Sequence, residues 1–201
     1  MKLCFAPSSP FARKVLVAAM ERGLDNQIEL ILTDPFSEES GLRKVNPLSK
    51  IPALELDDGR VIIESALICE YLDDLHDGPR LFPQDDTRLD VLKRMALADG
   101  MASAGVLFRI ETQRRPPELL WQAYADRQKK SMLGTLSVLE EEADSFRTGN
   151  DLSIADIALG CCLGWYDLRF PDLAWRSDNP GIAEWFETFS ERPSMAKTVP
   201  S

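Results

Sequence analysis

Two adjacent serines, Ser8 and Ser9, precede Pro10 at the point where a short apolar run gives way to a helical pattern. Ser9 suits the N-cap of a helix and Pro10 its first position, because serine accepts a backbone N–H there and proline lacks the N–H that a helix start leaves unused. The free N–H groups of a helix start also attract anions. The hydroxyls therefore either cap the helix only or also hold an anionic ligand atom.

A nucleophilic role for these serines is disfavoured, because a serine nucleophile needs a base beside it. The chain has one histidine, His76, which falls in a predicted linker, and it contains no G-x-S-x-G segment. A serine hydroxyl can instead donate a hydrogen bond to a bound thiolate, which lowers the pKa of the thiol. The positive end of a helix acts in the same direction. The turn therefore suits a thiolate stabiliser better than a hydrolase.

The composition excludes several classes of protein. The chain has 201 residues and a formal net charge of −10, which argues against nucleic acid and anionic membrane surfaces as partners. No apolar run is long enough to span a bilayer, and the N-terminal residues lack the apolar segment of a signal peptide. The cysteine spacing indicates neither a disulfide framework nor a zinc site. The apolar neighbours of the four cysteines predict buried thiols in a reducing cytoplasm: Cys4, Cys69, Cys161 and Cys162.

Residues 1–78 alternate strand and helix patterns. Residues 3–6 and 28–32 are apolar runs on either side of a helical stripe, which predicts a parallel strand pair with a right-handed crossover. Asp58-Gly59 lies between two further apolar runs and predicts a hairpin. Ser65 is the predicted N-cap of the helix that follows. The order is βαβ, a short helix, then ββα.

The rest of the chain shows only helical patterns. Residues 76–83 contain Gly and Pro and interrupt the periodicity, as a linker does. Long helical patterns cover 87–114 and 118–146, and Ser153 with Asp156 forms a capping box before an apolar helix. We expect an α/β domain at 1–78 and an all-helical domain at 84–201.

Four motifs follow one another along the chain: the turn at 8–14, the segment 46–52 (Asn-Pro-Leu-Ser-Lys-Ile-Pro), the pair Glu64-Ser65 and the capping box at Ser153. Together with the order of elements, they resemble the cytosolic glutathione transferase family over nearly the whole chain. The resemblance implies a thioredoxin-like N-terminal domain that binds glutathione, an all-α C-terminal domain and a homodimer. In the segment 46–52, Ser49 stands where the family has glycine. The turn and the triplet Ala98-Asp99-Gly100 are similar to the family's YibF-like bacterial branch.

The resemblance also implies roles for single residues. The bond between Ile51 and Pro52 would be cis, and the backbone of Ile51 would pair with the cysteinyl part of glutathione. Ser65 and the helix start behind it would hold the γ-glutamyl carboxylate, with Glu64 near the ammonium group, and Lys50 would contact the glycyl carboxylate. The alternatives are a trans proline that begins a strand and an ordinary helix N-cap.

Glutathione itself would be the nucleophile, with a serine donating to its sulfur. Ser9 aligns with the catalytic cysteine of omega-type members, and Ser8 aligns with the catalytic serine of the theta and zeta types. Ser9 is the preferred candidate, and capping alone is the alternative for both. Because the turn contains no cysteine, exchange through a mixed disulfide is disfavoured.

A small hydrophobic or electrophilic substrate is expected beside the thiolate. Arg13 is expected either to bridge to Glu64 or a ligand carboxylate, or to be solvated or lie at the domain interface. Asp99 is expected to approach the partner subunit's site. The acceptor pocket is expected to be lined, unless helical spacing reflects core packing only, by Phe11, Met101, Gly105, Phe108 and Arg109.

The expected function is that of a glutathione transferase, in which the thiolate attacks a small electrophile and no metal takes part. One alternative is a non-catalytic, glutathione-binding or regulatory module of the same fold. Another is a glutathione-dependent reductase, peroxidase or isomerase, which would change the electrophile but not the thiolate site.

Overall fold

The computed structural model describes residues 1–147 and 152–201. Its N-terminal part has the predicted order, βαβ followed by a short helix and ββα. The elements are β1 (Lys2–Phe5), α1 (Pro10–Glu21), β2 (Glu29–Leu32), α2 (Leu42–Val45), β3 (Ala53–Glu55), β4 (Val61–Ile63) and α3 (Ser65–Asp74).

The four strands form one mixed sheet in the order β2-β1-β3-β4. β1 runs parallel to β2 and antiparallel to β3, so Leu3 lies between Leu30 and Leu54. β3 and β4 form an antiparallel hairpin whose connection turns at Gly59, with φ +84°. The parallel pair and the hairpin are both confirmed.

Helix α1 begins as predicted, with Pro10 at its first position. The Oγ of Ser9 accepts the backbone N–H of Ala12 at 3.2 Å. α1 contacts α3 on one side and α7 (Ile154–Arg169) on the other. Since helices cover it on both sides, even the charged residues Arg13 and Lys14 are buried.

The linker is attached to the end of α3 by a buried carboxylate. Asp73 is fully buried and accepts the backbone N–H groups of Leu81 at 2.9 Å and Phe82 at 3.1 Å. The Nε of Arg80 lies 3.4 Å from the same carboxylate. These contacts position the predicted linker and place Leu81 and Phe82 in the core.

Helices make up the C-terminal part, and no strand occurs in it among the residues described. The two long predicted patterns are each divided. The first ends in a π-helical turn (Ile110–Arg114) ahead of two prolines, and the second leaves helical geometry at Glu142. The helices are α4 (Arg88–Arg109), α5 (Gln122–Glu141), α6 (Ala143–Arg147), α7 (Ile154–Arg169), α8 (Trp175–Asp178), α9 (Pro180–Ser190) and α10 (Pro193–Ala196).

Helix α7 is the centre of the helical core. The predicted capping box is confirmed, since Ser153 N donates to Asp156 Oδ2 at 2.7 Å and Asp156 N donates to Ser153 Oγ. Gly160 packs so closely that a Cβ there would lie 2.5 Å from Phe189. The glycines of α7 therefore serve close helix packing. In the described parts of the chain, every helix is too short or too polar to cross a bilayer.

Charged residues of α1 hold the domains together, among them Arg13 and Lys14. Arg13 donates to the carbonyl of Met195 at 3.0 Å and to Thr198 at 3.2 Å. The expected bridge from Arg13 to Glu64 or a ligand carboxylate is therefore wrong, and the domain-interface alternative is correct, because the guanidinium donates to the C-terminal segment. Asp99 is engaged by Lys14 of its own chain.

Candidate glutathione site

A cavity of about 840 Å³ opens between the sheet domain and the helices. Its sheet-domain wall comes from the serine turn, the loop after β2, the segment 46–52 and the start of α3. Its helical wall comes from α4, the π-helical turn and the end of α7. The predicted site residues on these walls are Ser8, Ser9, Phe11, Lys50, Ile51, Pro52, Glu64, Ser65 and Arg109.

Ser8 and Ser9, in the turn before α1, both line the cavity. The Oγ of Ser9 already accepts the N–H of Ala12, but a hydroxyl retains its own proton and can donate it. The backbone N–H of Ser9 donates to Ala6 at 3.0 Å and fixes the turn. Within the described chain, Ser8 Oγ makes no side-chain hydrogen bond. Ser9 can therefore cap α1 and donate to a ligand at once, whereas Ser8 is free to rotate toward one.

The segment 46–52 is held from beneath by a buried asparagine. Asn46 donates through Nδ2 to the carbonyl of Lys50 at 2.7 Å, and its Oδ1 accepts the N–H of Leu48 at 3.0 Å. The bond between Ile51 and Pro52 is cis, as predicted. Asn46 was assigned no role from the sequence, although the Asn-Pro pair marks its position. Its two hydrogen bonds place the backbone ahead of the cis bond.

The start of α3 differs from the prediction by one residue. Glu64 is the N-cap, at φ +66°, and Ser65 is the first helical residue, so the assignment of Ser65 as N-cap is wrong. The reason is the left-handed backbone of Glu64, which turns the chain one residue earlier. No side chain caps this helix, which leaves its first N–H groups available for an anion where the helix borders the cavity.

The cysteines lie away from the cavity wall and are buried as predicted. Burial raises the pKa of Cys4, although a hydrogen bond with Thr33 opposes the shift. Burial also raises the pKa of Cys69 to about 12 and that of Cys161 to about 11. Burial likewise raises the pKa of Cys162 well above its usual value. All four thiols are therefore protonated at neutral pH.

Of the five residues expected to line the acceptor pocket, Phe11 and Arg109 lie on the cavity wall and the other three lie off it. Met101 is buried and its carbonyl accepts the hydroxyl of Tyr166 at 2.8 Å. Gly105 packs against Trp165, and Phe108 packs against Phe170 with ring centroids 5.5 Å apart. They belong to the face of α4 that meets α7. The cavity face is rotated from it and carries Ser103, Val106 and Leu107. Ile110, at the start of the π-helical turn, continues the same helical spacing.

Charged residues at the helical wall were only partly anticipated. Arg109 was predicted there, but Arg114 and Arg169 were not. The local sequence gives no signal for either, because the approach of α7 to the π-helical turn is a tertiary feature. No cluster of three or more His, Cys, Asp or Glu side chains that could hold a metal occurs within 1–147 and 152–201.

A sheet domain with a cis-proline loop and an uncapped helix start facing a serine turn, covered by a helical domain, defines the glutathione transferase class. The family models agree: the glutathione S-transferase N-terminal domain matches residues 8–75 and the C-terminal domain matches 122–188. The chain belongs to the glutathione S-transferase family.

Relatives and solved structures share the whole length of the chain. The GST-like protein YibF of Escherichia coli K12, described as uncharacterized, is 32% identical and covers 100% of this chain and 98% of its own. A glutathione transferase family member from Pseudomonas fluorescens Pf-5, solved with bound glutathione, is 41% identical with a TM-score of 0.94, covering 100% and 98%. A glutathione S-transferase from Methylobacillus flagellatus KT, with glutathione bound, is 34% identical with a TM-score of 0.93, covering 100% and 99%.

Proposed function

We propose that this protein binds glutathione in the cavity and stabilises its thiolate for attack on a small electrophile. The observation that carries the proposal is the convergence of three features on one cavity: the serine turn, the cis Ile51–Pro52 loop and the start of α3. The bound glutathione of the Pseudomonas and Methylobacillus structures supports the same assignment.

Each part of glutathione has a complementary group on the sheet-domain wall. Ser65 and the uncapped start of α3 suit the γ-glutamyl carboxylate, and Glu64 offers a carboxylate to the ammonium group. The backbone of Ile51 suits the cysteinyl amide, and Lys50 suits the glycyl carboxylate. This arrangement leads the sulfur toward Ser8 and Ser9.

A hydroxyl donor and the start of α1 are sufficient to produce a thiolate. Lowering a thiol pKa by about two units requires about 2.7 kcal/mol of preferential stabilisation. A hydrogen bond to a charged group contributes roughly 1.5–3 kcal/mol, and a helix start adds about 0.3–1 kcal/mol. Ser9 is the preferred donor, since the N–H of Ala12 that its oxygen accepts polarises the hydroxyl. Ser8 is the alternative.

In the reaction, the sulfur forms a bond to an electrophilic carbon. A leaving group departs with the bonding pair, or a neighbouring carbon takes up a proton when the acceptor is an activated alkene. The protein's own thiols have raised pKa values because of burial, which disfavours a mixed disulfide with one of them.

A homodimer and a cytoplasmic location complete the proposal. The family resemblance supports the dimer, and the four free, buried cysteines fit a reducing compartment. Sheet and helical domains at 1–78 and 84–201 are supported by the linker contacts of Asp73.

Calorimetric titration with glutathione tests the proposal on the wild type and on Ser8→Ala, Ser9→Ala and Ser65→Ala. The ultraviolet absorbance of the bound thiolate is followed against pH. Ser65→Ala is expected to weaken glutathione binding. The serine variant that removes the hydrogen-bond donor to the sulfur is expected to raise the thiol pKa of bound glutathione. Ser131→Ala is the matched control, because its hydroxyl bonds only to its own helix at Arg127.

Failure of the wild type to bind millimolar glutathione would refute the proposal. Binding with an unshifted thiol pKa would instead support the alternative of a glutathione-binding module without turnover.

A further inference from the structure

Three arginines line the helical wall of the cavity. Arg109 is the last residue of α4, Arg114 ends the π-helical turn, and Arg169 is the last residue of α7. The acids of the cavity, Asp34 and Glu64, belong to the sheet-domain wall. The described helical wall thus carries three positive charges and no negative one.

Acidic residues close in sequence to these arginines are used elsewhere. Glu111, inside the π-helical turn, is buried and accepts Arg115 Nε at 3.0 Å and the N–H of Trp121 at 2.7 Å. Asp167, two residues before Arg169, pairs with Arg176 at 2.7 Å. Over residues 1–147 and 152–201, the three cavity arginines form no ion pair.

Two of the guanidinium groups also have unused donors. The Nε atoms of Arg109 and Arg169 are shielded from solvent and have no hydrogen-bond partner among the described residues. Burial, with the like charges of Arg169 and Arg114, lowers the pKa of Arg109. Buried donors without partners and neighbouring like charges raise the free energy of the folded protein, and a bound anion lowers it.

The third arginine, Arg114, contacts the opposite wall of the cavity. The guanidinium of Arg114 stacks over the ring of Phe36 from the loop after β2, 3.7 Å from the ring centroid. This contact gives Arg114 a cation–π partner but leaves its charge uncompensated. Since the chain as a whole has a net charge of −10, the positive wall is a local arrangement and does not follow from composition.

We infer that the electrophile carries a carboxylate or sulfonate, which Arg109 and Arg169 bind while its reactive carbon faces Ser8 and Ser9. This inference rests on the proposed function, since it names the second substrate of the same cavity. The carboxylates of glutathione are assigned to the opposite wall, at Ser65 and Lys50, so the arginines remain for the electrophile. A guanidinium binds such a group through two parallel hydrogen bonds.

The test compares 4-chloro-3-nitrobenzoate with its neutral amide, 4-chloro-3-nitrobenzamide. In both, the glutathione sulfur bonds to the ring carbon, the C–Cl bond breaks and chloride leaves with the bonding pair. Each kcat/KM is divided by the rate constant of the uncatalysed reaction with glutathione. The benzoate is expected to be favoured by roughly tenfold or more, as one charge-assisted contact provides.

Arg109→Gln and Arg169→Gln are each expected to lower the benzoate-to-benzamide ratio by roughly tenfold. Arg169→Lys, which keeps the charge but not the two-point geometry, should recover part of the ratio. Arg60→Gln, on the exposed hairpin turn, is the control and should leave the ratio unchanged. Circular dichroism and the Kd for glutathione establish that each variant is folded.

A binding measurement gives an answer that does not depend on turnover. In calorimetry, the glutathione conjugate formed from the benzoate is expected to bind at least tenfold more tightly than the conjugate formed from the benzamide. Arg169→Gln should remove this difference in affinity. Equal binding of the two conjugates by the wild type would overturn the inference while leaving glutathione binding intact. Failure of the wild type to bind glutathione would refute the proposed function itself.

Discussion

The ammonium of Lys14 on α1 lies 2.6 Å from Oδ2 and 2.7 Å from Oδ1 of Asp99 on α4. Lys14 is 1% exposed, whereas the side chain of Asp99 is 25% exposed. The pair crosses the interface between the sheet domain and the helices, so it joins the helix behind the serine turn to the helix that forms the cavity's other wall.

This unequal burial predicts unequal costs of mutation. Asp99→Asn leaves a buried ammonium without its counter-ion and is expected to cost roughly 3 kcal/mol of unfolding free energy. Lys14→Met removes the buried charge, keeps the volume and leaves Asp99 partly in water, so we expect about 1 kcal/mol. Urea unfolding followed by tryptophan fluorescence measures both. A larger loss for Lys14→Met would contradict this account of the pair.

Replacing Ser49 by glycine is expected to stabilise the protein. Ser49 has φ +52°, a left-handed backbone that costs a non-glycine residue roughly 1 kcal/mol. Ser49→Gly should therefore raise the unfolding free energy by about 0.5–1 kcal/mol, after allowing for the greater entropy of glycine in the unfolded chain. Ser40→Gly, at a residue with no positive φ, provides the comparison and should not stabilise. Thermal and urea unfolding of the two variants decide the matter.

Asn46 is expected to affect both stability and the Kd for glutathione. Asn46→Ala deprives the Lys50 carbonyl and the Leu48 N–H of their partners, which should cost about 2 kcal/mol. Because the loop to Ile51 then loses its support, the Kd for glutathione should rise by roughly tenfold. Asn26→Ala, at an exposed position, is the control. An unchanged Kd in a folded Asn46→Ala protein would show that the loop does not depend on this side chain.

The contribution of Glu21 should depend on pH. Although burial opposes the shift, hydrogen bonds from Arg192 and Ser194 lower the pKa of Glu21 below its usual 4.5. A carboxyl whose pKa is lower in the folded state stabilises the fold above its unfolded pKa, and this stabilisation is lost as the pH falls through the folded pKa. Glu21→Gln should therefore cost about 1–2 kcal/mol at pH 7.

At pH values well below 4.5 the wild type and Glu21→Gln should converge in unfolding free energy, since the native carboxyl is then protonated. Urea unfolding across this range tests the sign. A difference that grows as the pH falls would be the opposite result.

The close packing of α7 predicts a contrast between two glycines. A Cβ at Gly160 would lie 2.5 Å from Phe189, whereas a Cβ at Gly134 on α5 would meet no atom within 4 Å. Gly160→Ala should destabilise by roughly 1–3 kcal/mol through overpacking. Gly134→Ala should stabilise by up to about 1 kcal/mol through helix propensity. Parallel thermal unfolding of the two variants gives the comparison.

Features that depend on a few neighbouring residues could be predicted from the sequence. Ser9 as a cap, the Asp58-Gly59 hairpin and the Ser153 capping box each rest on local backbone chemistry. The N-cap at Glu64 could not be predicted, because its positive φ is imposed by the junction of β4 and α3.

The residues of α4 that line the cavity could not be predicted from hydrophobic periodicity alone. A helical stripe shows which residues of α4 share a face but not which neighbour that face meets. Met101 and Gly105 therefore fell on the core side, and Val106 and Ile110 on the cavity side. Arg169 reaches the cavity only because α7 packs along α4, a contact between distant parts of the chain.

The attachment of Arg13 to the C-terminal segment has a consequence for synthesis of the protein. Arg13 bonds to Met195, 182 positions later, and Glu21 bonds to Arg192 and Ser194. During translation, Arg13 on α1 therefore has no contact with its final hydrogen-bond partners until the segment that contains α10 has left the ribosome. One of the first helices to be made is thus among the last to gain its final contacts.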